Sequence, residues 1–330
     1  MIGSRAMQGL VVVITGGSSG IGRATAHAFA REGASLVLAA RREDRLREVV
    51  RECRALGAAA ALAVPTDTTE EEDVRRLAAV ALGSFGHIDV WFNNAGVGIF
   101  GRFEDLPPAA WRRVIETNLF GYVHGARAVM PHFRARGRGI LVNNASIVGR
   151  MAKPDSTAYA TSKFAVRGFS EALRQELLDQ HDIHVCTLLP SVIDTPFFQH
   201  AANYSHHRVR AAPPVYAPEK VAEAVLSLVH RPKAELVIGG AGRAATILKR
   251  LLPLLGTRLN GRALNYGFLS SEPAPEAPGA VFEPMRDPHR VTGGWRKGWN
   301  DGGVPSLALL GLLALPLGLV ALRRGRAEQG

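Results

Sequence analysis

Leu10-Val-Val-Val-Ile-Thr-Gly-Gly-Ser-Ser-Gly-Ile-Gly22 is the stretch on which the reading of this chain turns. Its β-branched start reads as a strand, and the periodic residues 23–31 that follow read as a helix. Between them, the glycines let the backbone turn tightly and approach a ligand closely. The free amides of the helix start attract negative charge, so Thr15 to Gly22 is a candidate pyrophosphate cradle.

Working outward, further apolar runs occur at 35–40, 60–64, 88–92, 139–143, 183–189 and 235–238, alternating with helical patterns of ten to twenty residues. That alternation predicts an α/β fold, a Rossmann-type doubly wound parallel sheet of seven strands with helices on both faces. Ligands on such sheets sit at the carboxyl ends of the strands. The polar or glycine-rich signals fall at those ends: Thr15, Gly16, Ser18, Ser19, Gly20, Ile21 and Gly22 after the first strand, Arg41 and Arg42 after the second, Asp67 after the third, and Asn94, Ala95 and Gly96 after the fourth. An NAD enzyme commonly places a carboxylate after the second strand to bind the ribose 2′-hydroxyl. Arg41 and Arg42 suit a 2′-phosphate instead, so NADP(H) is expected in preference to NAD(H).

A second informative stretch runs from Ser146 to Lys163. Tyr159 and Lys163 lie one helical turn apart on one face, in a helix whose Ala165, Phe169, Leu173 and Leu177 recur every four positions. A phenol titrates near 10, and an ammonium beside it is expected to lower that value and make a proton-transfer group. Ser146, thirteen residues earlier and just past a strand-like run, can be brought back over the tyrosine to hold a substrate oxygen.

Composition sets bounds. A chain of 330 residues, 47% hydrophobic, can bury a full core, and no internal repeat is evident. Cys53 and Cys186 make neither a disulfide framework nor a metal site and suit a reducing compartment. No cysteine–histidine cluster asks for a metal, no nucleic-acid motif is present, and the N-terminal apolar run is too short for a signal peptide. The net charge of +11 is uneven, because residues 241–330 carry twelve Lys/Arg against six Asp/Glu. That bias flanks apolar segments and points to an anionic membrane surface.

With these residues assembled, the chain resembles the short-chain dehydrogenase/reductase family over about residues 8–240. The family's Thr-Gly-x-x-x-Gly-x-Gly turn matches Thr15 to Gly22, its Asn-Asn-Ala-Gly matches Asn93 to Gly96, and its catalytic group matches Asn118, Ser146, Tyr159 and Lys163. Its Pro-Gly-x-Val-x-Thr segment appears as Pro190-Ser-Val-Ile-Asp-Thr195, with Ser191 in place of glycine and Ile193 in place of valine. The Ser191 hydroxymethyl group is expected to crowd the nicotinamide side. By that resemblance, Tyr159 is the acid or base at the substrate oxygen, Ser146 holds the same oxygen, and Lys163 tunes Tyr159 and binds the nicotinamide ribose. Asn118 would hold a water linked to Lys163, and Pro190, Ile193 and Thr195 would border the cofactor. The resemblance also implies a homo-oligomer.

The segment 191–215 carries Phe197, Phe198, Tyr204, His206 and His207, a lid composition suited to a lipophilic ketone or alcohol. Beyond residue 240, three further regions are expected. Residues 241–303 read as a basic amphipathic segment and a Pro/Gly-rich linker. Residues 304–322 are uncharged and read as a transmembrane or membrane-associated helix, and 323–330 form a short basic tail. The expected protein is therefore an NADP(H)-dependent carbonyl/alcohol oxidoreductase held at a membrane, its catalytic domain facing the cytoplasm. A soluble cytoplasmic reductase and a membrane-attached NADP-binding sensor or scaffold without turnover are the alternatives.

Overall fold

The computed structural model describes residues 7–251, 267–287 and 289–296. In chain order the strands are β1 (Val11–Thr15), β2 (Ser35–Ala40), β3 (Ala60–Pro65), β4 (Val90–Asn93), β5 (Ile99–Phe100), β6 (Gly139–Asn144), β7 (Ile183–Pro190), β8 (Ala202–Asn203), β9 (His207–Val209), β10 (Glu235–Ile238) and β11 (Leu269–Pro273). The helices are α1 (Gly20–Arg31), α2 (Glu43–Ala55), α3 (Glu71–Phe85), α4 (Pro108–Ile115), α5 (Gly121–Arg136), α6 (Thr157–Glu176), α7 (Phe197–His200), α8 (Glu219–His230) and α9 (Gly240–Leu251).

Seven strands form one parallel sheet in the order β10-β7-β6-β4-β1-β2-β3. The alternation of side chains across β1 explains its apolar run Val11 to Ile14. Val12 and Ile14 face one core with Phe29 of α1, Leu46 of α2 and Val225 of α8, while Val13 faces the other with Leu77 of α3 and Phe133 of α5. Both faces are covered, so the strand is apolar until Thr15 at its carboxyl end, where the hydroxyl finds the amides of Asn94 and Ala95. The strand order reverses between β1 and β4, which opens a crevice at their carboxyl ends.

Buried amides tie this crevice together. Asn93 Nδ2 donates to the Tyr122 carbonyl and to Asn143 Oδ1, and Asn143 Nδ2 donates to Ser170 Oγ, so β4, β6, α5 and α6 share one satisfied polar network. Close packing around it excludes a side chain at Gly125, where a Cβ would stand 2.2 Å from Asn93 Oδ1. The helical run from α4 to α5 is continuous through a π-helical turn, Glu116–Phe120, which displaces Asn118 inward.

Residues 269–296, part of the stretch read from sequence as a linker, are docked on the core instead. β11 pairs antiparallel with β9, and the following chain crosses the mouth of the crevice. The Pro/Gly composition reflects loop geometry here, because its partners are supplied by distant parts of the chain, from β9 and Asp194 to Arg23, Arg41 and Arg42. Among the described residues no helix is long and apolar enough to cross a membrane. The expected membrane helix at 304–322 lies outside the described residues, as do the basic tail and most of the second half of the amphipathic segment.

Candidate active site

The glycine turn bends between β1 and α1 with Gly16 at φ +66° and Gly20 at φ +53°. Both lie in the left-handed region that disfavours a side chain. A Cβ at Gly22 would stand 2.2 Å from the Gly16 carbonyl oxygen and 2.7 Å from Asn94 Nδ2, so the helix start packs directly on the turn. Asn94 Nδ2 donates to the carbonyls of Thr15 and Gly16, and Thr15 Oγ1 accepts from the amides of Asn94 and Ala95. Asn144 Nδ2 then donates to Asn94 Oδ1, linking the ends of β1, β4 and β6. Gly16, Ser18, Ser19, Gly20 and Ile21 line one end of a cavity of about 720 Å³. This glycine-lined cradle fits a dinucleotide pyrophosphate, which only a backbone without Cβ atoms lets approach so closely.

The other named residues meet on the same cavity. Arg41, Arg42, Asp67, Asn94, Ala95, Gly96, Ser146, Tyr159, Lys163, Pro190, Ile193 and Thr195 all line it. Asp67 Oδ1 accepts from the amide and hydroxyl of Thr69, which fixes the carboxylate at the end of β3.

Ser146 caps a short 3₁₀ turn, Ile147–Gly149, its Oγ accepting from the Val148 amide at 3.1 Å, and it hydrogen-bonds the Tyr159 hydroxyl. Lys163 is 4% exposed, with Nζ 2.8 Å from the Asn144 carbonyl oxygen, 3.4 Å from the Tyr122 hydroxyl and 5.7 Å from the Tyr159 ring centroid. Asn118 spends its amide on the backbone. Its Oδ1 accepts from the Val97 amide at 2.8 Å, and its Nδ2 donates to the Val97 carbonyl and to Ser162 Oγ. In this arrangement the side chain holds the Gly96–Val97 wall and the α6 face in register.

The electrostatics differ from the sequence expectation. Burial pushes the Tyr159 phenol up to about 12, only partly offset by the hydrogen bond to Ser146. Burial also draws Lys163 down to about 7, so desolvation works against the ammonium that was expected to lower the phenol. The pair shares a desolvated pocket in which the Tyr159 phenol keeps its proton and can donate it to an oxygen bound beside it.

Ser191 lines the cavity, with its hydroxyl beside Gly239 and Gly242. Room for its hydroxymethyl group is made by Gly239 and Gly242, where added Cβ atoms would stand 2.7 and 2.3 Å from Ser191 Oγ. Substitution at one position is thus matched by glycine at two others, both contributed by the segment around the start of α9.

The arginines after β2 carry a contact invisible in sequence. Arg41 donates to the carbonyls of Phe282 and Ala280 at 2.6 and 2.7 Å, and Arg42 lies against the His289 ring and the Arg286 carbonyl. Burial lowers both from the ordinary arginine range, and both remain cationic at neutral pH. The Gly20 amide donates to the Arg290 carbonyl, and Arg23 donates to that of His289. Residues 280–296 thus form a strap across the nucleotide end, and Ala280, Val281, Pro284 and Met285 complete the cavity lining.

The family profile described as short chain dehydrogenase matches residues 10–205. This chain belongs to the short-chain dehydrogenase/reductase family. Members of this family act on CH–OH and C=O groups with a nicotinamide dinucleotide, and the chain is accordingly an NAD(P)-dependent oxidoreductase. Among curated proteins, the uncharacterized oxidoreductase YxnA of Bacillus subtilis is 37% identical over 297 residues, covering 88% of this chain and 82% of YxnA. Among solved structures, a short-chain dehydrogenase/reductase from Burkholderia phymatum in complex with NAD superposes with a TM-score of 0.67 at 28% identity, covering 76% of this chain and 95% of that one. An alcohol dehydrogenase from Thermococcus sibiricus complexed with 5-hydroxy-NADP gives a TM-score of 0.61 at 30% identity, covering 69% and 95%. The match to YxnA extends well past residue 240, so it takes in much of the segment that forms the strap.

Proposed function

We propose that this short-chain dehydrogenase/reductase reduces a lipophilic carbonyl compound, or oxidises the corresponding alcohol, with NADP(H) as its preferred cofactor. The observation that carries the reading is the meeting of Tyr159, Ser146 and Lys163 at an otherwise apolar wall of the cavity that the glycine turn opens. A bound nicotinamide supplies or accepts the hydride. Tyr159 gives its proton to the oxygen of the carbonyl being reduced, and Ser146 orients that oxygen. Lys163 stands ready behind them, held by Asn144 and Tyr122, as the group through which the phenol regains its proton.

A lipophilic substrate is supported by the rings of Phe100, Phe197, Phe198 and Phe268, all on the cavity lining, with Phe197 5.4 Å from the Tyr159 ring. The NADP(H) preference is supported by Arg41 and Arg42, which border the cavity where a ribose-binding carboxylate would otherwise follow β2. Membrane attachment through residues 304–322 is supported by their uncharged, apolar composition. Homo-oligomer formation is supported by Phe120 and Phe164, 50% and 40% exposed.

The test is NADPH oxidation by the full-length protein in detergent micelles against carbonyl compounds from small aldehydes to steroid and long-chain ketones. Turnover confined to the lipophilic members is expected, falling by about 10²–10⁴ in Tyr159→Phe, the range a positioned general acid contributes. Full turnover in that variant would overturn the mechanism. Replacing Arg41 and Arg42 together by Ala should collapse the NADPH over NADH preference, and equal use of both cofactors by the wild type would remove the NADP assignment. Flotation of the full chain with anionic vesicles, lost on deletion of residues 297–330, tests the attachment.

A further inference from the structure

Lys153 lies in the turn between Ser146 and α6, apart from the groups that handle the reacting oxygen. It is 8% exposed and lines the cavity. Its Nζ stands 4.4 Å from the ring centroid of Phe100 and 5.0 Å from that of Phe268. An ammonium has three donors to place. Among the described residues its one hydrogen bond goes to the carbonyl of the adjacent Pro154, at 3.2 Å. Asp155 is the acidic group that acts on it electrostatically, and the two form no ion pair.

A buried ammonium in this setting is costly. Withdrawal from water penalises the charge by more than an aromatic face returns. Consistent with that imbalance, burial draws Lys153 down to about 7. A cation held against two aromatic rings, inside a ligand cavity and short of acceptors, is a receptor for an anionic group that arrives with the ligand.

The surroundings say where on the ligand that group lies. From Tyr159 an unbroken line of rings leads to Lys153: Phe197 at 5.4 Å, Phe198 at 5.3 Å from it, and Phe268 at 5.8 Å from that, with Lys153 over its face. Arg210 lines the cavity beside this end, its backbone amide donating to the Phe268 carbonyl and its Nε to that of Gly267. Among the described residues the one carboxylate on the lining is Asp67, which stands with Arg41 at the nucleotide end. The ring-lined end is therefore apolar along its length and positive at its limit.

We propose that the substrate is an amphiphile, a carbonyl or alcohol group joined through an apolar spacer to a carboxylate, and that Lys153 binds the carboxylate while Tyr159 and Ser146 hold the reacting oxygen. The proposal rests on the carbonyl/alcohol reading above and adds the second recognition point. A carboxylate gives the ammonium both the missing acceptors and the missing counter-charge. An ester or hydrocarbon end of equal length leaves it unpaired, and that difference is the source of discrimination.

The experiment is isothermal titration of the full-length protein, loaded with NADP⁺ in detergent micelles, with decanoate and with methyl decanoate. Wild type is expected to bind decanoate at least tenfold more tightly than its ester. Lys153→Met should bring the ratio of the two affinities to about one, and Lys153→Arg should keep the preference. Lys153→Gln serves in place of Lys153→Met if the latter does not fold, as judged by circular dichroism. Equal binding of the two probes by wild type, binding of neither, preference for the ester, or an undiminished preference in the uncharged variant would each overturn the proposal. Reduction of decanal by wild type and its loss in Tyr159→Phe judge the reaction separately, so an enzyme that reduces decanal without discriminating the two probes would retain the reaction and lose the carboxylate.

Discussion

Asp194→Ala should loosen the strap and speed cofactor exchange. Asp194 is 3% exposed, and its Oδ1 accepts from the backbone amides of Gly293 at 3.1 Å and Trp295 at 2.8 Å. Hydrogen bonds to a charged acceptor are worth about 1.5–3 kcal/mol each, so the pair sets an upper range of roughly 3–6 kcal/mol. Lifting the strap gives both amides access to water, and other anchors remain: Gln199 to the Gly293 carbonyl, Trp295 Nε1 to the Thr195 carbonyl, and the contacts of Arg23, Arg41 and Arg42. The net effect on opening is therefore set at about 1.5–3 kcal/mol, a shift of roughly 10- to 150-fold in the open fraction. Stopped-flow NADPH fluorescence should show association and dissociation both accelerated by about tenfold or more. Tryptic cleavage at Arg286 and Arg290 should rise in parallel, and Asp194→Asn, which keeps one oxygen acceptor, should fall between. Unchanged exchange rates together with unchanged cleavage in Asp194→Ala would refute the idea that this segment gates the nucleotide end.

Two further outcomes follow from packing and titration. Lys163 has a folded-state pKa of about 7, lowered by burial, against about 10.4 in an unfolded chain. The unfolded chain thus binds the proton more tightly, the penalty on folding is complete below about pH 7, and it is relieved as pH rises toward 10. The stability of Lys163→Met relative to wild type should accordingly be most favourable near pH 6 and decline by up to about 1.4 kcal/mol per pH unit between pH 7 and 9, measured by urea denaturation. A pH-independent difference would contradict the assignment. Gly242→Ala should destabilise the fold by about 1–3 kcal/mol, because its Cβ would stand 2.3 Å from Ser191 Oγ. Combining it with Ser191→Gly should restore much of that loss in thermal melts, whereas simple additivity of the two changes would show that they do not share the space.

The amino-acid sequence alone determined the sheet, the glycine turn and the residues that meet beside it at the cavity, Ser146, Tyr159 and Lys163. Each rests on local order: β-branched runs that only a doubly covered strand tolerates, glycines at positions where a Cβ meets backbone, and Tyr159 and Lys163 one helical turn apart. The π-helical turn that presents Asn118 left no such trace, because the partners of its side chain, hydrogen-bonded at Val97 and Ser162, lie across the site. Charge state was likewise a tertiary matter. Adjacency of Lys163 suggested a lowered phenol, but burial acts on both groups and raises Tyr159 while it lowers Lys163. Lys153 carries no signal in the sequence, and only the fold sets it against Phe100 and Phe268. The strap was the least legible element, since a guanidinium at Arg41 meeting carbonyls at Ala280 and Phe282 leaves no periodicity to detect. Local chemistry is written in neighbouring residues, whereas burial and long-range backbone contacts exist only once the chain has closed on itself.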